Sequence, residues 1–298
     1  MSKFKSGFVA IIGRPNVGKS TLLNKFLNQK IAIVTPKAQT TRNRIQGIYT
    51  TENEQIIFVD TPGIHKPRHE LGITMNKAAL GSLEGMDVIL FVIEGNYPLG
   101  PADQMIIEYL KAVKTPVILV INKVDLVKDQ EALKENIASY QAAYPFSGGI
   151  TISATEGFNI DNLLKMITDR LEEGPLYYPA DQILDQPERF VVAEIIREKV
   201  LLLTEEEVPH SVAVVVERFK QNEKNPNVTD ISATIVVERQ SQKKIIIGAK
   251  GAKIKEIGTQ ARLDIVKFLG NKVFLELFVK VEEDWRNKKR YLKEYGYE

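Results

Sequence analysis

Eight residues near the N-terminus, Gly13-Arg14-Pro15-Asn16-Val17-Gly18-Lys19-Ser20, set two glycines, a lysine and a hydroxyl at the spacing G-x-x-x-x-G-K-[ST]. The strand-like run Phe8–Ile12 precedes them and a helix-like stretch follows, which is the context in which this spacing cradles phosphate. Gly13 and Gly18 let the backbone curl so that successive N–H groups point inward at phosphate oxygens. The helix N-terminus adds its partial positive charge. Lys19 supplies a mobile cation for β- and γ-phosphates. Ser20 supplies a hydroxyl for Mg²⁺, which keeps most of its waters and bridges the phosphates. Positions 13 to 20, with Thr21, make the expected phosphate set.

Two later motifs specify the rest of the ligand. Asp60-Thr61-Pro62-Gly63 ends the run Gln55–Asp60. A carboxylate there reaches Mg²⁺ through water, and Gly63 presents an N–H with no side chain in the way, suited to sensing a γ-phosphate. Asn122-Lys123-Val124-Asp125 follows the apolar run Val117–Ile121. The Asp125 carboxylate can accept from guanine N1–H and the 2-amino group. Adenine has neither donor and would leave a buried acceptor unpaired. The Lys123 stem can lie along the base. Ser153-Ala154 ends the next strand and is placed to give guanine O6 a backbone N–H.

A different constellation lies in the last third. Gly248-Ala249-Lys250-Gly251 sits between apolar residues ahead of a helix-like stretch. From Arg239 to Lys272 nine residues are basic and two acidic, a local +7 in a chain of net +2. A solvated helix face usually mixes its signs, so this tract reads as a polyanion contact. Lys244, Ile247, Gly248, Ala249, Lys250, Gly251, Lys253 and Lys255 are the candidates. Ile246, Ile247, Ile254 and Ile257 form the expected apolar face beside it. Farther on, Trp285 and Arg286 to Arg290 make a basic tail. It reads either as a phosphate or anionic-membrane contact or as the solvated face of a terminal helix.

These residues need a scaffold, and the hydrophobic pattern supplies one. Apolar β-branched runs at Phe8–Ile12, Ile56–Asp60, Val88–Ile93, Val117–Ile121 and Ile150–Ser153 alternate with helix-like stretches at Gly18–Leu27, Met75–Leu83, Ala102–Val113, Glu131–Tyr144 and Asn159–Leu171. Strands alternating with helices predict an α/β domain with a mostly parallel sheet. Ile45–Thr50 followed by Gln55–Asp60 predicts one antiparallel hairpin in it. A Pro- and Asp-containing stretch without clear period follows, read as a linker. After it, a helix near 189–202, strands near 212–219 and 230–239, a helix near 253–268 and a strand near 273–281 predict a smaller α+β module. The expected boundaries are therefore 1–172, 173–187 and 188–298.

Composition limits the alternatives. The 298 residues are 44% hydrophobic and 26% charged, ordinary for globular chains of about two domains. No cysteine occurs, which excludes disulfides, thiolate zinc sites and cysteine nucleophiles. No apolar run is long enough to span a bilayer, and the first residues carry no signal-peptide pattern.

Taken in order, the first three motifs and Ser153-Ala154 resemble the fingerprint of translation-factor-class GTPases. The remaining element of that fingerprint is Gln39-Thr40-Thr41-Arg42. There the resemblance implies a threonine that binds Mg²⁺ and reports the γ-phosphate, Thr41 rather than Thr40. The basic G-x-x-G segment resembles a type II KH domain, whose loop clamps single-stranded nucleotides. That resemblance implies a short helix over Lys243–Ile247, where propensity alone predicts strand. Together the two modules resemble the bacterial Era GTPase family, of the TrmE-Era-EngA type with an added KH domain. Many small GTPases place a glutamine after D-x-x-G to orient water. Here Ile64 stands there, as in this family. The resemblance then implies slow intrinsic hydrolysis, with Lys19, Asn16, Thr41 and Gly63 as the candidates for the transition-state roles and Asn16 as the candidate K⁺ contact. His65 reads as a solvated loop histidine rather than a base.

The resemblance implies a cytoplasmic ribosome-assembly factor that binds GTP or GDP, Mg²⁺, small-subunit 16S ribosomal RNA and the 30S subunit, with nucleotide state controlling RNA engagement. A monomer is expected, with peripheral contact at the inner face of the cell membrane. The rival readings are a membrane-associated signalling GTPase and a nucleotide-gated RNA-binding module with negligible turnover.

Overall fold

The computed structural model describes residues 4–37, 40–206 and 208–297. Gln39 of the threonine motif lies outside them. The chain forms two compact units. The first comprises 1–32, 41–68 and 72–185, and the second 33–40, 69–71 and 186–298.

The first unit runs β1 (Lys5–Ile12), α1 (Lys19–Phe26), β2 (Ile45–Thr50), β3 (Glu54–Asp60), α2 (Glu70–Gly81), β4 (Val88–Glu94), α3 (Pro101–Leu110), β5 (Val117–Asn122), α4 (Gln130–Ala143), β6 (Gly148–Thr151) and α5 (Ile160–Thr168). The sheet order is β2-β3-β1-β4-β5-β6. β2 pairs antiparallel with β3, and every other pairing is parallel. β4 and β5 are buried along nearly their whole length, as parallel strands covered on both faces must be. The phosphate loop, D-x-x-G and N-K-x-D motifs each follow the C-terminal end of a parallel strand, at β1, β3 and β5. That edge is where open α/β sheets bind ligands.

The stretch expected as a linker, 173–187, is instead mostly a strap on this sheet. Gly174 N–H donates to Phe4 O at 3.2 Å, Ile48 N–H to Ile183 O at 2.9 Å, and Asp185 N–H to Gln46 O at 3.1 Å. The buried Gln55 side chain accepts from Tyr177 and Tyr178 N–H at 2.8 and 3.0 Å. The strap pairs with the edge strand β2, which would otherwise expose unpaired backbone groups. The two units divide after Asp185.

The second unit contains α6 (Glu188–Leu203), β7 (Ala213–Gln221), β8 (Val228–Val237), α7 (Gln240–Ile247), α8 (Ala252–Leu269), β9 (Lys272–Val281) and α9 (Lys289–Glu294). Its sheet is β7-β8-β9, with β7 antiparallel and β9 parallel to β8. The region around Lys243–Ile247 is helical, against the propensity of its isoleucines. Gln242 Oε1 accepts from Glu238 and Arg239 N–H at 2.9 and 3.0 Å, satisfying donors at the start of α7. Trp285 is buried, donates from Nε1 to Ser211 O at 2.9 Å, and stacks on Tyr297. Arg286 pairs with Glu238 at 2.6 Å. The first two residues of the basic tail are thus structural, and the exposed charges begin beyond them.

Candidate functional site

Lys19 is buried and donates from Nζ to the carbonyls of Gly13 and Arg14 at 3.1 and 2.9 Å. The phosphate loop is therefore curled around its own cation. Burial pulls the Lys19 ammonium down to about 8, with Asp60 opposing. Burial likewise pushes the Asp60 carboxyl up to about 6, with Lys19 opposing. Gly18 has φ +101°, and a Cβ there would lie 2.2 Å from Asn122 Nδ2. Only glycine fits.

Three oxygens converge beside the lysine. Ser20 Oγ donates to Asp60 Oδ2 at 2.7 Å and lies 2.7 Å from Thr41 Oγ1. Asp60 is fully buried, and its Oδ1 has no partner. An orphaned buried carboxylate oxygen beside two hydroxyls is a hard-oxygen donor set of the kind Mg²⁺ takes. Thr40 is not part of it. Its hydroxyl bonds to Thr35 Oγ1 and Lys37 O, both at 2.7 Å.

The D-x-x-G segment is closely held. Thr61 Oγ1 donates to Ile11 O at 2.9 Å, and Pro62 and Gly63 are buried. A Cβ on Gly63 would lie 2.6 Å from Pro15 N, so D-x-x-G and the phosphate loop touch through backbone. Ile64 is buried in the core cluster with Ile12, Phe91 and Ile93. It presents nothing to the phosphate side. His65 Nδ1 lies 2.8 Å from Gly63 O, and the His65 backbone N–H donates to Asn76 Oδ1 at 3.3 Å. It is an anchored, half-buried residue rather than a solvated one.

At the base side, Asn122 is a clamp. Its Nδ2 donates to Val17 O at 2.8 Å, and its Oδ1 accepts from Ala154 N–H at 3.0 Å. Lys123 Nζ donates to Asn16 O at 2.7 Å and pairs with Glu94. Asp125 is exposed at the start of a short turn. The expected N–H for guanine O6 is already engaged here. Ser153 N–H goes to Phe158 O at 3.3 Å, and Ala154 N–H to Asn122.

Sequence reasoning missed Asp103. This buried carboxylate accepts from Arg14 Nε at 2.9 Å and from Tyr140 OH at 2.8 Å. It draws the Arg14 side chain toward α3 while the Arg14 carbonyl holds Lys19. The available signal was an acidic residue in the first turn of an amphipathic helix, which is common.

The second candidate site is a groove of about 330 Å³ along α8 and β9. Gly248 and Gly251 have φ +72° and +79°, and Lys250 between them has φ +49°. Positive φ thus occurs three times before α8 begins, with Lys250 and Gly251 in the left-handed conformation. A Cβ on Gly251 would meet no atom within 4 Å, so the loop backbone is open to an approaching ligand. Ile254, Gly258, Leu275 and Leu277 line the groove, with Lys255 and Arg262 as its cations. Lys244 and Lys250 are exposed, Ala249 is exposed, and Ile247 is half-buried. Lys253 pairs with Glu256 at 3.3 Å. Ile246 and Ile257, expected on the base-accepting face, are wholly buried core residues. Only Ile254 of that set lines the groove, and the leucines of β9 take the remaining places.

Comparison with known proteins matches both units. Residues 8–123 match the family model described as 50S ribosome-binding GTPase, and residues 207–286 match the KH domain model. A variant of Era from Aquifex aeolicus bound to GDP·AlF4⁻ is 44% identical, with TM-score 0.95 over 99% of both chains. Era in complex with MgGDPNP and nucleotides 1506–1542 of 16S ribosomal RNA is 45% identical, again with TM-score 0.95 over 99% of both chains. A GTPase unit carrying the buried Lys19–Ser20–Asp60 cluster, joined to a KH unit with an open G-x-x-G groove and matched along its full length, places this chain in the Era family of GTPases.

Proposed function

We propose that this protein is a GTP-hydrolysing ribosome-assembly factor that binds small-subunit ribosomal RNA through its KH groove under control of the bound nucleotide. The observation that carries the reading is the full-length similarity to an Era chain holding both MgGDPNP and a 16S RNA segment, together with an open groove at the matching module. The first family's description names the 50S subunit. The whole-chain relative includes the RNA-binding module, so it weighs more, and the 30S subunit is the proposed partner.

Phosphates are held by the curled N–H groups at 13 to 21 and by Lys19, already buried against its loop. Ser20, Thr41 and Asp60 are the residues that would hold Mg²⁺, Asp60 through water. When bound, the ion supplies charge to neutralise the β- and γ-phosphates. Gly63, packed against Pro15 of the phosphate loop, would offer its N–H to the γ-phosphate. Asp125 reads guanine, and the clamp at Asn122 keeps its loop in register with the phosphate loop. Ile64 neither donates nor accepts, so unaided turnover is slow. The Asn16 side chain, exposed on the loop, is the proposed K⁺ contact. We also infer a cytoplasmic monomer, with Lys288, Lys289 and Arg290 as the peripheral membrane contact. Among the described residues no helix is long and apolar enough to cross a membrane.

Titrating the protein with a 16S 3′-end oligonucleotide in GDP and in a nonhydrolysable GTP analogue tests the reading. Tighter binding in one nucleotide state is expected. Equal affinity in both states removes the control, and no binding removes the RNA function.

A further inference from the structure

Residues 33–40 belong to the same compact unit as α6, and α6 grips them at two places. Glu198 Oε1 accepts from Val34 N–H at 3.1 Å. Arg197 Nη2 donates to the carbonyl of Thr40. Arg197 is wholly buried and doubly bonded to Glu194, at 2.7 and 2.5 Å. A buried ion pair is a costly way to pack a helix, and apolar residues of similar volume serve stability as well or better. What an apolar residue cannot do is hold a backbone carbonyl. The grip is itself braced, since Lys199 Nζ bonds Glu198 at 3.0 Å and Asp264 of α8 at 2.5 Å. The next residue after Thr40 is Thr41, whose hydroxyl meets Ser20 beside Asp60. Fixing the Thr40 carbonyl restrains the plane of the Thr40–Thr41 peptide bond, and with it the place at which the Thr41 Cα stands.

We propose that Arg197 and Glu198 are positioning residues for the nucleotide site: they hold the segment before Thr41 so that the Thr41 hydroxyl is presented to the cation and the γ-phosphate. This rests on the reading of Thr41 given above. The two residues touch neither nucleotide nor metal. Their effect therefore falls on the triphosphate state, which engages Thr41, and spares the diphosphate state.

The test uses the full chain and Mg²⁺, with fluorescent GDP and a fluorescent nonhydrolysable GTP analogue as probes. Arg197→Met keeps the apolar stem and removes the donor. It is expected to weaken the analogue by roughly tenfold, the size of one hydrogen bond to a charged group, with GDP changed by less than about twofold. Arg197→Lys, which keeps a donor, is expected to recover part of the loss. Glu198→Ala releases the other end and is expected to shift the ratio in the same direction by a smaller factor. It also keeps the proposal testable if Arg197→Met melts below the assay temperature. Thr41→Ala separates the layers. If it shifts the analogue-to-GDP ratio while folded Arg197→Met and Glu198→Ala do not, the positioning role is wrong and the site reading stands. If Thr41→Ala leaves the ratio unchanged, both fall. Equal losses for the two nucleotides in the α6 variants mark a purely structural role and also overturn the proposal.

Discussion

Around Lys19 the cation, the Asp60 carboxylate and the Thr41 hydroxyl are buried, with half-buried Ser20 bonded to the last two, whereas around Gly251 Lys250 and Lys255 stand in solvent beside an open groove. Both regions are proposed phosphate sites, and both set glycines at a helix start. In the first, Ser20 bonds to Thr41 and Asp60, while Lys19 and Asn122 each donate to carbonyls of the phosphate loop. In the second, Lys250, Lys255 and Arg262 are exposed. Low local dielectric makes each polar group in the first region count heavily, for or against. In the open groove, affinity is spread over many screened contacts and depends on salt. A small, fixed ligand suits the first construction. A long, flexible polyanion suits the second.

The largest effect is expected at the base. Asp125→Asn replaces an acceptor of two guanine N–H groups by an amide and should weaken GTP by roughly a thousandfold while raising affinity for xanthine nucleotides, whose 2-carbonyl now meets a donor. Competition between GTP and XTP measures this, and retention of parental GTP affinity would remove Asp125 from the pocket.

A crossed pair of variants comes next. Lys19→Ala should cost roughly a hundredfold in GTP affinity by removing the buried cation, with RNA binding nearly unchanged. Gly251→Asp should cost roughly thirtyfold in RNA affinity, because a side chain and a negative charge enter the space where a phosphodiester meets backbone, with GTP affinity nearly unchanged. Calorimetry for nucleotide, fluorescence anisotropy for RNA and circular dichroism for folding complete the square. If folded Gly251→Asp binds RNA normally, the loop is an ordinary turn and the contrast between the regions disappears.

Smaller effects sharpen the picture. Arg262→Ala should weaken RNA binding by only about fivefold at moderate salt and reduce the salt slope by about one unit, as loss of a single phosphate contact does. An unchanged slope would move Arg262 off the phosphate path. Smallest is the response to monovalent ions. Hydrolysis should rise a few-fold in K⁺ over Na⁺ at matched ionic strength, through charge supplied near the transferring phosphate. Equal rates would leave the fold untouched and discard the role of Asn16.

Much of this molecule was legible without coordinates. The β-branched runs located the four inner strands of the large sheet, β3, β1, β4 and β5, because a parallel strand covered on both faces has no polar positions to blur it; the hairpin pattern located β2, and the edge strand β6 begins two residues before its run. The phosphate loop and the D-x-x-G and N-K-x-D motifs were legible because their chemistry is contiguous: backbone N–H groups and their neighbouring side chains act together over a few residues. The helix at 240–247 was readable only through the KH resemblance, since its isoleucines favour strand and its capping rests on one glutamine.

What stayed hidden depends on residues far apart in the chain. Asp103 and Tyr140 clamp Arg14 from helices whose own patterns look ordinary. Ile246 and Ile257 turned inward while Leu275 and Leu277 line the groove; a basic apolar tract shows that a face exists but not which isoleucines it buries. Trp285 entered the core, and 173–185 became a strap, through partners that no local period announces. By itself the sequence determined the order of most elements and the spacing of the motifs proposed for phosphate, base and RNA, because those follow from local backbone rules. Only the tertiary structure decided that Thr41 and not Thr40 stands beside Ser20 and Asp60, and that α6 grips the segment before it. Neighbouring residues of one kind are told apart only by what packs against each.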